Sequence, residues 1–176
     1  MDLVTPIDDE KIGLLKAGDN VTLSGTVYTA RDAAHKRMAE ALANGQPPPF
    51  DYRGQVVFYA GPCPAPPGRP VGSIGPTTAG RMDSYAPDLI GQGLKIMVAK
   101  GGRKKEVVDA IRAHCGLYLV AVGGVAALLA ECVKSCEAAA YEDLGTEAVW
   151  RLHVEKMPLV VAVDSRGASV YDSAGS

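Results

Sequence analysis

Basic clusters, aromatic side chains and long apolar runs are all scarce in this 176-residue chain, and each shortage removes a class of function. Eighteen Lys and Arg against 20 Asp and Glu leave a formal net charge of -2, with the signs interspersed. No basic stripe forms, and aromatics make up only 6% of residues, so neither nucleic acid nor an acidic membrane surface is favoured as a partner. The longest uncharged apolar stretch, Leu117 to Ala130, contains Gly123-Gly124 and is followed by Glu131. It falls short of the roughly 18 to 20 apolar residues a membrane helix needs. Met1-Asp2-Leu3-Val4-Thr5-Pro6 lacks the basic segment and apolar stretch of a secretory leader, and a cytoplasmic protein is expected.

Cysteine is also sparse. Four cysteines in a chain expected in the cytosol argue for free thiols rather than disulfides. Cys132 and Cys136 stand at i,i+4 on a predicted helix, Cys115 ends another, and Cys63 lies in a proline-rich loop; none reproduces a zinc or ferredoxin spacing. Cys115 and Cys132 read as small buried hydrophobes, and no metal site is assigned to this chain. The glycine pairs Gly101-Gly102 and Gly123-Gly124 match neither the dinucleotide fingerprint nor the P-loop, so no nucleotide is assigned; they let a strand turn sharply into a helix. A chain of this length is long enough for one sizeable core, and residues 1–176 are expected to form one domain.

Val21 to Thr29 alternates apolar and polar residues around Gly25, as two short strands or one bulged strand would. Asp32 then opens a helix with Ala34, Met38 and Leu42 on one face, and Gly45 stops it. The Pro47-Pro48-Pro49 run makes residues 46–52 a stiff connection, and residues 63–70 are too rich in proline to be anything but a loop, one placed to cover a site. Buried strands are predicted over 55–60, 94–99 and 117–122. Helices are predicted over 103–115 and 125–144, and Pro87 interrupts a third over 82–90. Beyond them, the alternating segment 150–155 and the stretches 158–163 and 168–171 read as strands. Strand-helix alternation with buried strands implies an α/β fold with a partly parallel central sheet flanked by helices, in three layers.

Chemistry concentrates in Gly72-Ser73-Ile74-Gly75-Pro76-Thr77-Thr78-Ala79-Gly80-Arg81-Met82-Asp83. Proline stiffens this backbone and glycine admits close approach, so an anion can meet N-H groups, the Thr77 and Thr78 hydroxyls and the Arg81 fork together. The same pattern also fits a turn before a helix N-terminus. Two further cations stand at predicted strand ends, Arg31 and Lys100, where ligand crevices form in α/β sheets. Each of the three also has a plain reading, as a helix-terminus charge, a solvated side chain or a snorkelling lysine. His35, beside Lys36 and Arg37, reads as a supporting or surface residue, and His114 and His153 receive no role.

The 72–83 segment resembles the signature of the β region of class I fumarases and L-tartrate dehydratases, iron-sulfur-dependent hydro-lyases. The likeness continues through Gly25-Thr26-Val27-Tyr28-Thr29-Ala30-Arg31-Asp32-Ala33-Ala34-His35-Lys36-Arg37, Tyr59-Ala60-Gly61-Pro62, Ala99-Lys100-Gly101, Gly123-Gly124-Val125-Ala126-Ala127, Leu144-Gly145-Thr146-Glu147-Ala148 and Pro158-Leu159-Val160-Val161. These blocks cover nearly the whole chain in one order. The resemblance implies the swivelling β/β/α fold. It also implies the β subunit of a two-subunit fumarate hydratase, which hydrates fumarate reversibly to (S)-malate in the tricarboxylic acid cycle; the Gly80 to Tyr85 continuation looks more like fumarases than tartrate dehydratases.

By the same resemblance Arg31, Thr77, Thr78, Arg81 and Lys100 contact a C4 dicarboxylate, and Thr77, Arg81 and Lys100 carry the chemistry. Thr77 would be the proton-transfer residue, its alkoxide stabilised by Arg81 and Lys100; alternatively it only hydrogen-bonds a carboxylate, and a carboxylate group on the partner subunit moves the proton. A four-iron cluster would sit on an α-subunit partner in a hetero-oligomer such as a dimer of αβ pairs, making this chain half of an active site. A non-catalytic module that binds dicarboxylates through Thr77, Arg81 and Lys100 is the rival from another class.

Overall fold

Val56-Val57-Phe58, Ile96-Met97-Val98-Ala99 and Leu117-Tyr118-Leu119 are apolar at every position, and a strand with no polar face needs cover on both sides. The computed structural model, which describes residues 1–121 and 126–172, supplies it. In chain order the elements are β1 (Asp2–Val4), α1 (Asp9–Leu14), β2 (Asn20–Thr29), α2 (Asp32–Ala43), β3 (Val56–Phe58), a 3-10 turn (Ala79–Met82), α3 (Ala86–Gly91), β4 (Ile96–Ala99), α4 (Lys105–His114), β5 (Leu117–Ala121), α5 (Ala126–Cys132), β6 (Val133–Ala140), a second 3-10 segment (Glu142–Glu147) and β7 (Val149–Val163).

Strands β2, β3, β4 and β5 run parallel in that order, and β7 returns antiparallel to both β5 and β2. Pairing that starts at β2 therefore passes through β3, β4, β5 and β7 and closes on β2 again. β1 extends β2, and β6 extends β7. Alternate residues of the parallel strands then enter two different cores. Val56, Phe58, Ile96, Val98, Leu117 and Leu119 face an inner core with Leu152, Val154 and Val161 of β7. Val57, Tyr59, Met97, Ala99 and Tyr118 face an outer core with Met38 of α2, Leu89 of α3 and Ile111 of α4. Each large apolar side chain so buried contributes about 1.5–3 kcal/mol, which is why the all-apolar strands stand between two covering layers.

The bulged-strand reading of 21–29 holds. β2 is continuous, and its register against β7 shifts between Leu23 and Gly25. Gly25 has φ +107°, and a Cβ there would overlap the Thr5 hydroxyl, so both the backbone and the packing call for glycine. Pro87 falls in the first turn of α3, where its missing N-H costs nothing, and so starts the helix instead of interrupting it.

The C-terminal third departs from the sequence reading in three ways. The helix predicted over 125–144 stops at Cys132, and Val133–Ala140 is the strand β6. Alanine favours a helix there by only tenths of a kcal/mol per residue, whereas β6 pairs along Val149–Val154 of β7 and sets Glu137 opposite Arg151, 2.6 Å away. The segments read as separate strands at 150–155 and 158–163 are one strand of 15 residues, with Pro158 inside it. Residues 168–171 form no strand beyond an isolated bridge between Ser169 and Val163. Gly123-Gly124 and the predicted helix start at Val125 lie outside the described residues. No helix among the described residues is long and apolar enough to cross a membrane.

Candidate functional site

Parallel strands carry their C-terminal ends to one edge of the sheet, and the residues just beyond those ends line a crevice. Register pairs Thr29 with Phe58 and Phe58 with Val98, so Arg31, Gly61 and Lys100 emerge side by side. The loop carrying Thr77 and Thr78 is tied to the same edge through its backbone. The Thr77 N-H donates to the Tyr59 carbonyl at 2.6 Å, the Lys100 N-H donates to the Thr77 carbonyl at 3.2 Å, and the Ala79 N-H donates to the Lys100 carbonyl at 2.8 Å. Thr78 and Lys100 thereby form a parallel bridge, which continues the sheet past β4. Gly101, at φ +83°, turns the chain away.

Arg31 precedes α2 in extended conformation as its N-cap. Its side chain is drawn back over Gly61, where a Cβ would lie 3.1 Å from both Cδ and Nη1 of the arginine and 3.0 Å from the Thr146 carbonyl. The Nε of Arg31 is buried and has no hydrogen-bond partner among the described residues. A buried, unpaired donor on a cation is costly, and an anionic ligand would relieve it. Arg81 leans the other way. Its Nη2 lies 2.6 Å from Asp32 Oδ2, in a pair whose side chains are 51% and 36% exposed. The five predicted residues thus come together at one edge of the sheet, a rim where Arg31 adjoins Asp32 in sequence and Arg81 meets it in space.

Beneath that rim lies an ion pair the sequence did not disclose. The side chains of Arg103 and Asp83 are 0% and 1% exposed, with Nε 2.7 Å from Oδ1. Asp83 Oδ2 accepts the Lys104 N-H at 2.8 Å. The guanidinium also donates from Nη2 to the Tyr59 hydroxyl at 3.2 Å and lies over the rings of Tyr59 and Tyr118, 5.1 and 4.9 Å from their centroids. The Tyr118 hydroxyl in turn donates to the Gly101 carbonyl at 2.7 Å. Burial works against the charge on Arg103, but Tyr59 and Asp83 outweigh it and hold its pKa above the ordinary value. In sequence, Arg103-Lys104-Lys105 looks like a solvated run ahead of α4, and only the preceding glycine pair hints at the turn that sends Arg103 inward.

Of the two settings the sequence leaves open for His35, supporting or surface, the structure shows a buried one beside Arg31. His35 is 1% exposed and not on the surface. Its Nδ1 lies 3.0 Å from the Arg31 carbonyl, which can only accept, so Nδ1 carries the proton. Its ring meets the Tyr59 ring edge-on at 4.8 Å. Burial, reinforced by the charge on Arg103, lowers its pKa from 6.5 to about 4, against the opposing pull of the Arg31 carbonyl and Asp32. Between those two values an unfolded chain takes up a proton that the folded chain refuses, so stability falls as pH drops through that window, by up to about 3 kcal/mol. His35→Asn, whose amide nitrogen replaces Nδ1-H, should flatten this dependence. Denaturant midpoints at pH 7 and 4.5 check it, and an unchanged acid slope in the variant would count against His35.

The proline-rich loop over 63–70 forms no helix or strand. With Cys136, Thr146 and Trp150 it lines a neighbouring hollow of about 310 Å³. Cys63 is exposed there, while Cys115, Cys132 and Cys136 are half-buried on other elements. No group of three or more His, Cys, Asp or Glu among the described residues could hold a metal ion. The described residues thus bring no such set together for an iron-sulfur cluster.

A family model described as "Fumarase C-terminus" matches residues 1–174. The chain is 43% identical over 176 residues to fumarate hydratase 2 of Leishmania major, covering 97% of this chain and 31% of that protein. It is 45% identical over 153 residues to the aerobic class I fumarate hydratase of Escherichia coli K12, covering 86% of this chain and 28% of that one. A provisionally named L(+)-tartrate dehydratase β subunit of Methanocaldococcus jannaschii is 41% identical over 168 residues, with 90% of this chain and 84% of that subunit covered. The chain thus spans less than a third of these two fumarate hydratases and most of a subunit whose name marks it as one part of an enzyme.

Proposed function

The chain belongs to the fumarase C-terminus family, and from that premise we propose that it supplies the dicarboxylate-binding half of a class I fumarate hydratase. The observation that carries this reading is the shared rim of Arg31, Thr77, Thr78, Arg81 and Lys100, with the unpaired Nε of Arg31 buried beside Gly61. A C4 dicarboxylate bears two negative charges at neutral pH, and arginines grip carboxylates bidentately. As a proton leaves the carbon beside one carboxylate, charge builds on that carboxylate's oxygens, and Arg81 and Lys100 would stabilise it. Thr77 would hold or move the proton, with its hydroxyl activated by the same cations.

The reacting centre would be completed by an α subunit, or by an equivalent N-terminal region, holding a four-iron cluster; class I fumarate hydratases are iron-sulfur enzymes, and this chain's cysteines do not suit that task. We take residues 1–176 as one domain of the three-layer swivelling type, at work in the cytoplasm within a hetero-oligomer. The match to most of a separate β subunit favours a second substrate reading, L(+)-tartrate, on the same rim.

The test is anaerobic capture of the chain with its partner from source cells, followed by assay with fumarate, (S)-malate and L-tartrate. Fumarate turnover is the expected result. Preference for tartrate would keep the site and change the substrate. Dicarboxylate binding by a lone chain with no turnover would replace the enzyme reading with a binding module.

A further inference from the structure

We propose that Arg103 is the positioning residue of this site, its buried guanidinium fixing the loop of Thr77, Thr78 and Arg81 relative to the loop of Lys100. Four segments converge on that one side chain. Asp83, which ends the 3-10 turn carrying Arg81, takes its Nε at 2.7 Å. Tyr59, whose carbonyl receives the Thr77 N-H, takes its Nη2 through the ring hydroxyl. Met97, on the strand leading into Lys100, places its sulfur 3.6 Å from Nη1. Tyr118, whose hydroxyl holds the Gly101 carbonyl, covers one face of the guanidinium.

Tyr59 is hydrogen-bonded to Thr77 directly, and the other three reach the rim at one remove, Asp83 through the turn that carries Arg81, Met97 through the strand that leads into Lys100 and Tyr118 through the Gly101 carbonyl. The contacts also use what only arginine has: a planar group with donors pointing three ways and a flat face suited to aromatic rings. A lysine could pair with Asp83 but could not donate in three directions from one plane. Neither the Asp83 nor the Arg103 side chain reaches the surface, so the two act on a ligand only through the loops they set.

The activity arm of the test rests on the dicarboxylate reading above; a second arm does not. In the assembled enzyme, Arg103→Lys is expected to lower kcat/KM about 100-fold, as a displacement of about 1 Å does in an aligned site, with the loss in kcat exceeding any rise in KM. Hydrogen exchange at the Thr77, Ala79 and Lys100 amides should quicken, while exchange along β2 and β7 stays as it was. Asp83→Leu with Arg103→Met replaces the buried pair by apolar groups, a change often neutral for stability. It should restore thermal stability and leave kcat/KM low.

A pair that serves stability alone would instead return kcat/KM and the three amides to wild-type values in the double variant, which would overturn the proposal. Should the double variant fail to assemble, wild-type exchange at those amides in Arg103→Lys overturns it equally. An assembled wild-type enzyme that turns over no dicarboxylate would refute the functional reading, and the exchange arm would still decide the role of Arg103.

Discussion

Replacing Thr77 with alanine in the assembled enzyme is expected to lower kcat by about 10² to 10⁴, the range for a lost proton-transfer group, while KM changes little. The backbone at Thr77 is held on both sides, by the Tyr59 carbonyl and the Lys100 amide, so the substitution removes the hydroxyl without releasing the loop. That makes the kinetic pattern diagnostic. If Thr77 only hydrogen-bonds a carboxylate and the partner subunit moves the proton, KM rises and kcat stays near its starting value. Thr77→Ser keeps the hydroxyl and should retain most of the activity under either role. A kcat unchanged in Thr77→Ala would remove it from proton transfer.

The rim itself was legible because each of its parts has a local signal. Arg31 and Lys100 stand where an apolar strand gives way to a helix start or a glycine, and Pro76 and Gly80 bracket the threonine pair. The parallel strands β3, β4 and β5 were legible for the same reason, being short all-apolar runs between turn signals. Val133 to Ala140 was not. Its alanine-rich composition fits a helix locally, and the strand β6 exists only because β7, beginning nine residues beyond Ala140, offers an edge to pair with. Long-range pairing leaves no periodic trace in such a segment.

Arg103 was hidden by a different mechanism. A buried arginine and a solvated one look alike in sequence, and the difference lies in Asp83, 20 residues earlier, and in two tyrosines, one just past β3 and one on β5. His35 is similar: nothing beside it in sequence says that Tyr59 covers its ring. What the sequence carried were the groups proposed to face a ligand, which cluster in loops. What it left out were the groups beneath them, brought together only by strand register.

Asp83→Ala is expected to destabilise the fold by about 3–5 kcal/mol, the cost of leaving one member of a buried pair without the other. For a chain of this size that corresponds to a fall of roughly 6–20 °C in Tm. The reason is asymmetric desolvation. Arg103 keeps its two tyrosine faces and the Tyr59 hydroxyl, yet no other carboxylate is bonded to it among the described residues. Arg103→Met alone should cost a similar amount, because Asp83 would keep only the Lys104 N-H. A variant that carries both Asp83→Ala and Arg103→Met should lose less than the two single losses added together, since the residues touch and each single change strands the other's charge. Asp51→Ala makes the contrast. Its partner Arg53 lies 2.7 Å away, but the side chains are 60% and 86% exposed, and water and salt replace what the pair supplies, so Tm should hardly move. Melting curves of the four variants beside wild type measure the coupling directly, and simple additivity at Asp83 and Arg103 would show that the pair does not act as a unit.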